Sequence, residues 1–535
     1  MDSLITHMQN LSINSNFRII GHLPGRYHVT ATNTDALEFH KKTVLIAMSK
    51  HIYAHEIEQV LSMQRSDPSD TTLVKTDLYQ GNVNYHKIVK DDIYYRSLEF
   101  VYNMFKPPTK YRPVHLIDVQ YHYPHVWSSN AEAPFSTEPY YRSLATPVTQ
   151  GNPYSIGNMK TLVFTETRKF LHQIKQGEPF HKYRWYIQLH NRTALTEKDD
   201  PLKIRSVWGF PRPPNLAWIM FLWPYVKWLK ERDPRTSPLL WRFETTLGGW
   251  FRLNYLLFTG YIRTTIITLD KTRFDKYYYF QIQDDIDQMI ESFIDFDSGY
   301  MPTVSYPTHT GWTPNHANRL RRLLHWLFYS FRSTPILGTD DELIERMFAG
   351  MPSGVYPVQL FDTIYFAITN IDVLQRMSIS LSQIMLHKGQ GDDILVQILL
   401  FVPPNQHDSF LSTYSTIDSQ RFGSIVKPEK SEIHNTTQGV KVLGYQNNNG
   451  LPVRSSIDLL SALYHAKSRQ ITESISMSIA TGIAYASLYH DPRVYRVCQH
   501  VYDYYAHKGF SMNQNWLARF TMRPLLDYMN LPEEF

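Results

Sequence analysis

Asp392 and Asp393 stand side by side within residues 384–396, between two short runs of strand-forming, mostly apolar residues with Gly391 just before the pair. That pattern reads as a β-hairpin carrying two carboxylates at its turn. Adjacent like charges repel, and a site that keeps them beside buried strands is stabilised when a divalent cation neutralises them. Asp-Asp also begins at Asp91, Asp199, Asp284 and Asp340, where it reads as a solvated loop or helix end. The flanking strand-like runs are what set Asp392 and Asp393 apart. A third carboxylate, Asp270, closes the buried apolar run 264–269, and Asp275 follows five positions on. Asp270 at a strand end can share metals with the pair if the two strands are neighbours.

The complementary charge lies upstream. Lys203, Arg205 and Arg212 fall in a stretch with no acid, stiffened by Gly209, Pro211, Pro213 and Pro214. Arginine grips phosphate oxygens bidentately and lysine acts as a point charge, so a rigid strand of this kind suits a triphosphate tail. Further on, Ser353 and Gly354 form a turn before a helix expected over 357–370, with Asp362 one helical turn in. On its own that turn is a capping loop.

The elements that must position these groups are a strand over 264–269, the hairpin, and the helix after Gly354. Around them the periodicity predicts an amphipathic helix over 318–332, helices over 42–61 and 492–507, a short strand over 441–445 before an Asn-rich turn, and mostly helix beyond Leu451. His115, His122 and His125 lack the cysteine or carboxylate spacing of a metal site and read as structural or RNA-facing. Residues 159–185 interleave Lys160, Arg168, Lys169, Lys175, Lys182 and Arg184 with Phe164, Phe170, Phe180, Tyr183 and Trp185. This fits a single-strand groove or an ordinary solvated face.

A chain of 535 residues with 43% apolar content can build several packed regions around more than one core. The net charge is only +5, so an anion-binding surface must come from local clustering of cations. The single cysteine, Cys498, excludes an intramolecular disulfide framework and cysteine-based zinc fingers. Polar residues interrupt every apolar run near the N-terminus, so no secretion signal is expected. The most apolar stretch, 216–229, is broken by Pro224 and Lys227 and is too short to span a bilayer; no membrane partner is expected.

Taken in order, these blocks resemble the motifs of viral RNA-dependent RNA polymerases, in particular those of the small double-stranded RNA viruses of the partitivirus and picobirnavirus type. Lys203, Arg205 and Arg212 look like motif F, Asp270 and Asp275 like motif A, and Ser353-Gly354 with its helix like motif B. Gly391-Asp392-Asp393 is similar to motif C, Lys430-Ser431 to motif D, and Leu443-Gly444-Tyr445 with Gly450 to Arg454 to motif E. Val358 stands where the family's motif B usually has Thr, which removes a hydroxyl. Asp362 stands where Asn is often found and keeps an acceptor for sugar recognition.

The resemblance implies an α+β right hand of fingers, palm and thumb, with an antiparallel palm sheet and largely helical fingers and thumb. It divides the chain into an N-terminal segment linking fingers and thumb (1–60), fingers (61–262), palm with motif A (263–284), a fingers insertion (285–344), palm with motifs B to D and the start of E (345–445), and thumb (446–535). It implies RNA-templated nucleotidyl transfer, independent of a primer, for transcription and replication of a double-stranded RNA genome. Two Mg²⁺ ions, with Mn²⁺ as a substitute, would be held by Asp270, Asp392 and Asp393. Lys203, Arg205 and Arg212 would neutralise the triphosphate, while Asp275, Ser353, Gly354 and Asp362 would meet the nucleotide, the polar side chains reading its ribose. Lys430 would give a proton to pyrophosphate. The implied partners are template and product RNA, ribonucleoside triphosphates and a viral capsid protein, inside the virus particle in the host cytoplasm. Two alternatives stand beside this: a non-catalytic RNA-binding or capsid-interior protein of the same shape, and a reverse transcriptase.

Overall fold

The computed structural model describes residues 15–29, 33–125, 133–145, 156–178, 185–307, 310–467 and 471–512. At its centre is a four-stranded antiparallel sheet in the order Ile384–Gln390, Asp393–Ile398, Thr265–Leu269, Glu432–His434. Thr265–Leu269 is β-branched at every position but the last and wholly buried, the composition of a strand covered on both faces. Side chains of a strand alternate between faces, and the two faces here meet different cores. Ile267, Leu269, Ile394 and Val396 join the large central core, whereas Ile266 and Leu395 pack on Trp250, Leu253 and Leu257 of the helix Gly249–Leu257.

The central core is built around the helix Val358–Arg376, in which every residue from Leu360 to Leu374 is buried. The sequence pattern ends this helix at Asn370, but it continues to Arg376. Asn370 does not stop it because its side chain is used in the core, accepting from the Tyr414 hydroxyl at 2.9 Å. The helix packs on Ile384–Gln390 and on the helix His407–Phe422, so the expected hairpin and the expected helix are in direct contact. The most apolar stretch lies in the helix Arg212–Glu231, which runs through Pro224 and buries Trp218 and Trp223. No helix among the described residues is long and apolar enough to cross a membrane.

The first described strand, Phe17–His22, pairs with Glu342–Arg346. The chain then reaches the opposite body, where helices Thr34–His51 and Ala54–Leu61 share a second core with Ser456–Tyr464, Glu473–Ser487 and Pro492–Ala506. His40, buried, bridges this junction through Ser476 Oγ (3.0 Å) and the Leu463 carbonyl (2.8 Å). Three boundaries differ from the sequence pattern. The expected helix 42–61 is two helices, because Ile52 and Tyr53 are extended and the Tyr53 backbone N–H is met by Glu56. The expected strand 441–445 is a tight hairpin, Lys441–Val442 against Tyr445–Asn448, turned by Leu443 and Gly444 at positive φ. Leu451–Val453 is a further strand before the chain turns helical. The helices at 318–332 and 492–507 are present as Pro314–Ser333 and Pro492–Ala506.

Candidate active site

The hairpin turn is Gly391-Asp392, with Gln390 paired to Asp393. Gly391 has φ +69° and nothing near its missing Cβ, so glycine serves the backbone of this two-residue turn. The Gly391 N–H donates to Thr363 Oγ1 at 2.9 Å, and Thr363 in turn donates to the Gln359 carbonyl at 2.6 Å. The turn is thereby fastened to the central helix. Behind it, the buried Lys388 ammonium donates to the carbonyls of Pro234 and Ser237.

Ile394 is in register with Leu269, so the next step along the two strands brings Asp270 towards Asp393. Asp270, Asp392 and Asp393 are all exposed at this edge. Dehydration in the cleft, and then the charges of Asp392 and Asp270, push the Asp393 carboxyl up to about 6. Dehydration also raises Asp392, with Asp270 adding to it and Arg205 opposing. The three acids therefore act on one another electrostatically. Among the described residues no three acidic, histidine or cysteine side chains are already drawn into a metal-sized cage. The donor set nevertheless fits a hard divalent cation: carboxylate oxygens, open to solvent, in a cleft that resists their charge. A cavity of about 820 Å³ opens beside Asp393, lined among others by Gln390, Gln359, Arg242 and Glu244.

Behind these three sits a second pair of acids. Asp362 is buried on the central helix, and its Oδ1 has no hydrogen-bond partner. Burial, then the charges of Asp392 and Asp275, raise its carboxyl well above the usual carboxylate range. Asp275 is raised mainly by burial, with Asp77 and Asp392 adding to it and Lys276 and Arg205 opposing. Arg205 is thus the cation whose charge bears on both Asp275 and Asp392, while Lys441 opposes the rise at Asp393. Arg205 projects from the strand Ile204–Gly209, which pairs with Gln188–Thr193.

Ser353 and Gly354 hold that strand. Trp208 N–H donates to Ser353 Oγ at 2.9 Å, and Gly354 N–H to the Trp208 carbonyl at 2.8 Å. A Cβ on Gly354 would lie 2.6 Å from that carbonyl oxygen and 2.8 Å from Phe210 N, so only glycine lets the loop approach. Asn215 closes the junction by donating to the Gly354 carbonyl (3.0 Å) and accepting from Tyr356 N–H (2.8 Å).

Three other residues singled out by sequence are placed differently. Lys203 is exposed just before the strand. Arg212 begins the helix Arg212–Glu231, and its charge bears on His125. Lys430 is exposed at the end of a short helical turn, while Asp270 is held by its neighbours: Asp270 N–H donates to Ser431 Oγ (3.1 Å) and Lys427 N–H to the Asp270 carbonyl (3.0 Å). The histidines are structural. His115 caps the helix Leu116–His122 and stacks on Tyr306, His122 meets Ser305 Oγ, and His125 meets the Val119 carbonyl. In the basic-aromatic block Phe164, Phe170 and Trp185 are buried core rings, with Arg168 and Lys169 exposed on the helix Ile156–Gln176. Phe180, Lys182, Tyr183 and Arg184 lie outside the described residues.

Sequence reasoning missed two anchors. Asp77, on the helix Thr71–Tyr79, accepts from Ser206 N–H (2.8 Å) and Ser206 Oγ (2.5 Å) and pairs with Lys276 at 2.8 Å. Lys271 makes a buried ion pair with Asp418 at 2.8 Å and a hydrogen bond to Thr369 Oγ1 at 3.1 Å. A lysine directly after each of Asp270 and Asp275 was the available signal.

The central antiparallel sheet packed between helices, with three carboxylates at one edge, has the architecture of a right-hand polymerase, and the comparisons bear out the fold and the family. No family model matches the chain. Over 570 aligned positions it is 34% identical to the RNA-directed RNA polymerase of White clover cryptic virus 1, covering 97% of this chain and 91% of that protein. It is 24% identical over 362 positions to the RNA-directed RNA polymerase of Atkinsonella hypoxylon virus, covering 61% of this chain and 51% of the relative. Its fold matches the solved Sicinivirus 3Dpol RNA-dependent RNA polymerase with a TM-score of 0.60 at 13% identity, over 85% of this chain and 92% of that one. The chain belongs to the viral RNA-directed RNA polymerases. Within them it is a polymerase of the cryptic, double-stranded RNA virus kind.

Proposed function

We propose that the chain copies RNA by two-metal nucleotidyl transfer, starting without a primer, for transcription and replication of its genome. The observation that carries this is the meeting of Asp270, Asp392 and Asp393 at one sheet edge with their charges coupled, opposite Arg205. Asp270 and Asp392 are the first metal ligands, with Asp393 in support. Bound Mg²⁺, or Mn²⁺ in its place, would supply activation of the attacking 3′-hydroxyl and charge stabilisation on the leaving pyrophosphate.

The chain's own groups do the rest. Arg205 neutralises the triphosphate next to the acids, with Lys203 and Arg212 further along its path. Lys430 is the proposed proton donor to pyrophosphate. Asp362, a buried carboxyl whose Oδ1 has no hydrogen-bond partner, can meet the ribose 2′-hydroxyl, and Asp275 offers a second contact. Ser353 Oγ accepts from Trp208 but keeps its own proton to give. A site built for the 2′-hydroxyl leaves these groups unpaired when a deoxynucleotide binds, and so rejects it.

The division into N-terminal segment (1–60), fingers (61–262 and 285–344), palm (263–284 and 345–445) and thumb (446–535) accords with the central sheet and with the N-terminal strand and helices that join the two bodies. The capsid protein as partner and the particle interior as workplace belong to the same proposal and rest on the resemblance to polymerases of double-stranded RNA viruses. The test is incorporation of labelled ribonucleotides on a single-stranded RNA template with Mg²⁺ and no primer, comparing wild type with Asp392→Ala. Product from the wild type alone is expected. Product from both would remove Asp392 from the metal site, and product only with a primer would remove primer independence.

A further inference from the structure

A belt of exposed rings runs along the helix Gly249–Leu257 and past its end. Phe251, Tyr255 and Phe258 recur at intervals of four and three residues, which places them on one helical face. They are 66%, 77% and 67% exposed. Tyr261 and Ile262 continue the belt in the turn that follows. The other face of the helix is spent on the sheet, where Trp250, Leu253 and Leu257 cover Ile266 and Leu395. Two neighbouring segments widen the belt. A Cβ on Gly450 would lie 3.2 Å from the Phe251 ring, so the exposed Leu451 abuts it. At the far end the Arg263 guanidinium lies 5.3 Å from the centre of the Phe401 ring, which follows the exposed Leu399 and Leu400. An aromatic side chain presents about 150–250 Å², so the four rings expose on the order of 600 Å². With Ile262 and the leucines the belt exceeds the roughly 300–600 Å² of the largest patch on an ordinary monomer. It approaches the roughly 800 Å² that each partner gives to a standard protein–protein interface.

The belt ends in a slot of about 400 Å³ walled by Pro234, Phe243, Phe251, Tyr255 and Leu256. That is the size and lining of a pocket for a single aromatic anchor and its flanks. Arg235 and Arg252 stand exposed at its mouth; Asp233 is engaged by Arg235 at 2.6 Å, and Glu244 reaches Arg252 at 3.7 Å. Phe243 also lines the cavity beside Asp393, so an occupant of the slot sits one side chain from the catalytic cleft. Charge decides what covers the belt. Residues 245–269, 394–407 and 433–457, which build it, carry Arg252, Arg263, Lys441 and Arg454 and neither Asp nor Glu. A second copy docked face to face would set these cations against one another. RNA would find rings but few phosphate contacts, since Arg263 lies over Phe401 and the leucines offer no stacking face. We propose that belt and slot dock an acidic segment of another protein, which inserts one aromatic side chain between Phe243, Phe251 and Tyr255 and sets its carboxylates on Arg235 and Arg252.

The probe is a random peptide library displayed on phage and panned on the full chain, with the enriched sequence then synthesised and its affinity measured by fluorescence anisotropy. Enriched peptides should carry an aromatic residue flanked by Asp or Glu. The double variant Tyr255→Ser/Tyr261→Ser removes two exposed rings and leaves the core packing in place. It should weaken the selected peptide about tenfold or more while melting as wild type does and synthesising RNA at the wild-type rate, which separates this surface from the catalytic assignment. Arg252→Glu should also weaken that peptide, and should bind a version with lysines in place of its acids better than wild type does. No enrichment, enriched peptides without acids, or equal binding by wild type and the double variant would overturn the proposal. A dimer in sedimentation velocity that the double variant abolishes would overturn it in favour of a second copy. Loss of affinity for a single-stranded RNA oligonucleotide in the double variant would overturn it in favour of an RNA contact.

Discussion

Asp77→Asn keeps the size of a side chain that touches no substrate, and it should impair nucleotide binding. Lys276 and Asp77 have side chains only 4% and 14% exposed and lie 2.8 Å apart. Neutralising one partner of such a pair leaves the other charge buried, which costs about 3–5 kcal/mol. Lys276 also donates to the Asp77 backbone carbonyl, a bond the substitution leaves, so the lower end, about 3 kcal/mol, is expected. The loss is local. Ser206 exchanges a carboxylate acceptor for a weaker amide one, the strand bearing Arg205 loosens, and Asp275 is relieved of one of the charges that raise it. The KM for ribonucleotides should rise about tenfold with kcat nearly unchanged, the signature of lost ground-state binding. Amide hydrogen exchange at Ser206 should accelerate. The control is Asp77→Leu/Lys276→Met, which replaces the pair by apolar groups and should recover the part of the loss that comes from the buried unpaired charge, but not the part that comes from Ser206, whose buried N–H and hydroxyl are left without an acceptor. It should not recover KM, since Ser206 is then unbonded. A fall in kcat at constant KM, or unchanged exchange at Ser206, would refute the reasoning.

Three further outcomes follow from the same contacts. Gly354→Ala forces a Cβ against the Trp208 and Phe210 backbone, which no rotamer can relieve; a loss of about 1–3 kcal/mol in chemical denaturation and a raised nucleotide KM are expected. Thr363→Val deprives the Gly391 N–H of its acceptor at about 1–3 kcal/mol; half-maximal activity should need more Mg²⁺, and Thr363→Ser should restore the wild-type requirement. The raised Asp393 carboxyl, at about 6, sets a pH dependence with a definite sign. The fold favours its protonated form, so the metal-free protein should lose stability as pH rises from the ordinary carboxyl range through about 6. Mg²⁺ competes with that proton, so it should bind more weakly as pH falls through about 6 and should abolish the loss above it; melts with and without Mg²⁺ from pH 4.5 to 8 check both.

Legibility followed the range of the interactions. The strand Thr265–Leu269, the Gly391-Asp392 turn and the helix Pro314–Ser333 were readable because their signals are local: a β-branched run, a glycine before two acids, and a 3.6-residue apolar period. The end of the helix Val358–Arg376 was not, because Asn370 reads as a stop until its distant partner Tyr414 is known. The acids were readable as chemistry, since carboxylates at strand ends stand out in any register. Asp77 was invisible, because its partners Ser206 and Lys276 lie far along the chain and nothing in its helix marks it. Lys203, Arg205 and Arg212 read as one block, yet Lys203 lies before the strand, Arg205 within it and Arg212 at the start of the next helix, which gives them different surroundings.

The missed residues share a position that explains how the site can hold so many free acids. Lys271 follows Asp270 and is buried against Asp418. Lys276 follows Asp275 and is buried against Asp77. Thr363 follows Asp362, and Gly391, which precedes Asp392, is bonded to that same Thr363. In each case the residue next to the acid takes the anchoring contact, and the carboxylate is left for a ligand. An acid that anchored itself through its own oxygens would be held rigidly but would have fewer lone pairs to offer a metal or a ribose hydroxyl. Anchoring one residue away fixes the backbone, which is what positions the carboxylate. It also spares the ligand site the cost of breaking an existing ion pair. The same logic accounts for the orphaned Oδ1 of Asp362: its position is guaranteed by the buried helix and by Thr363, so its hydrogen bond can wait for the nucleotide.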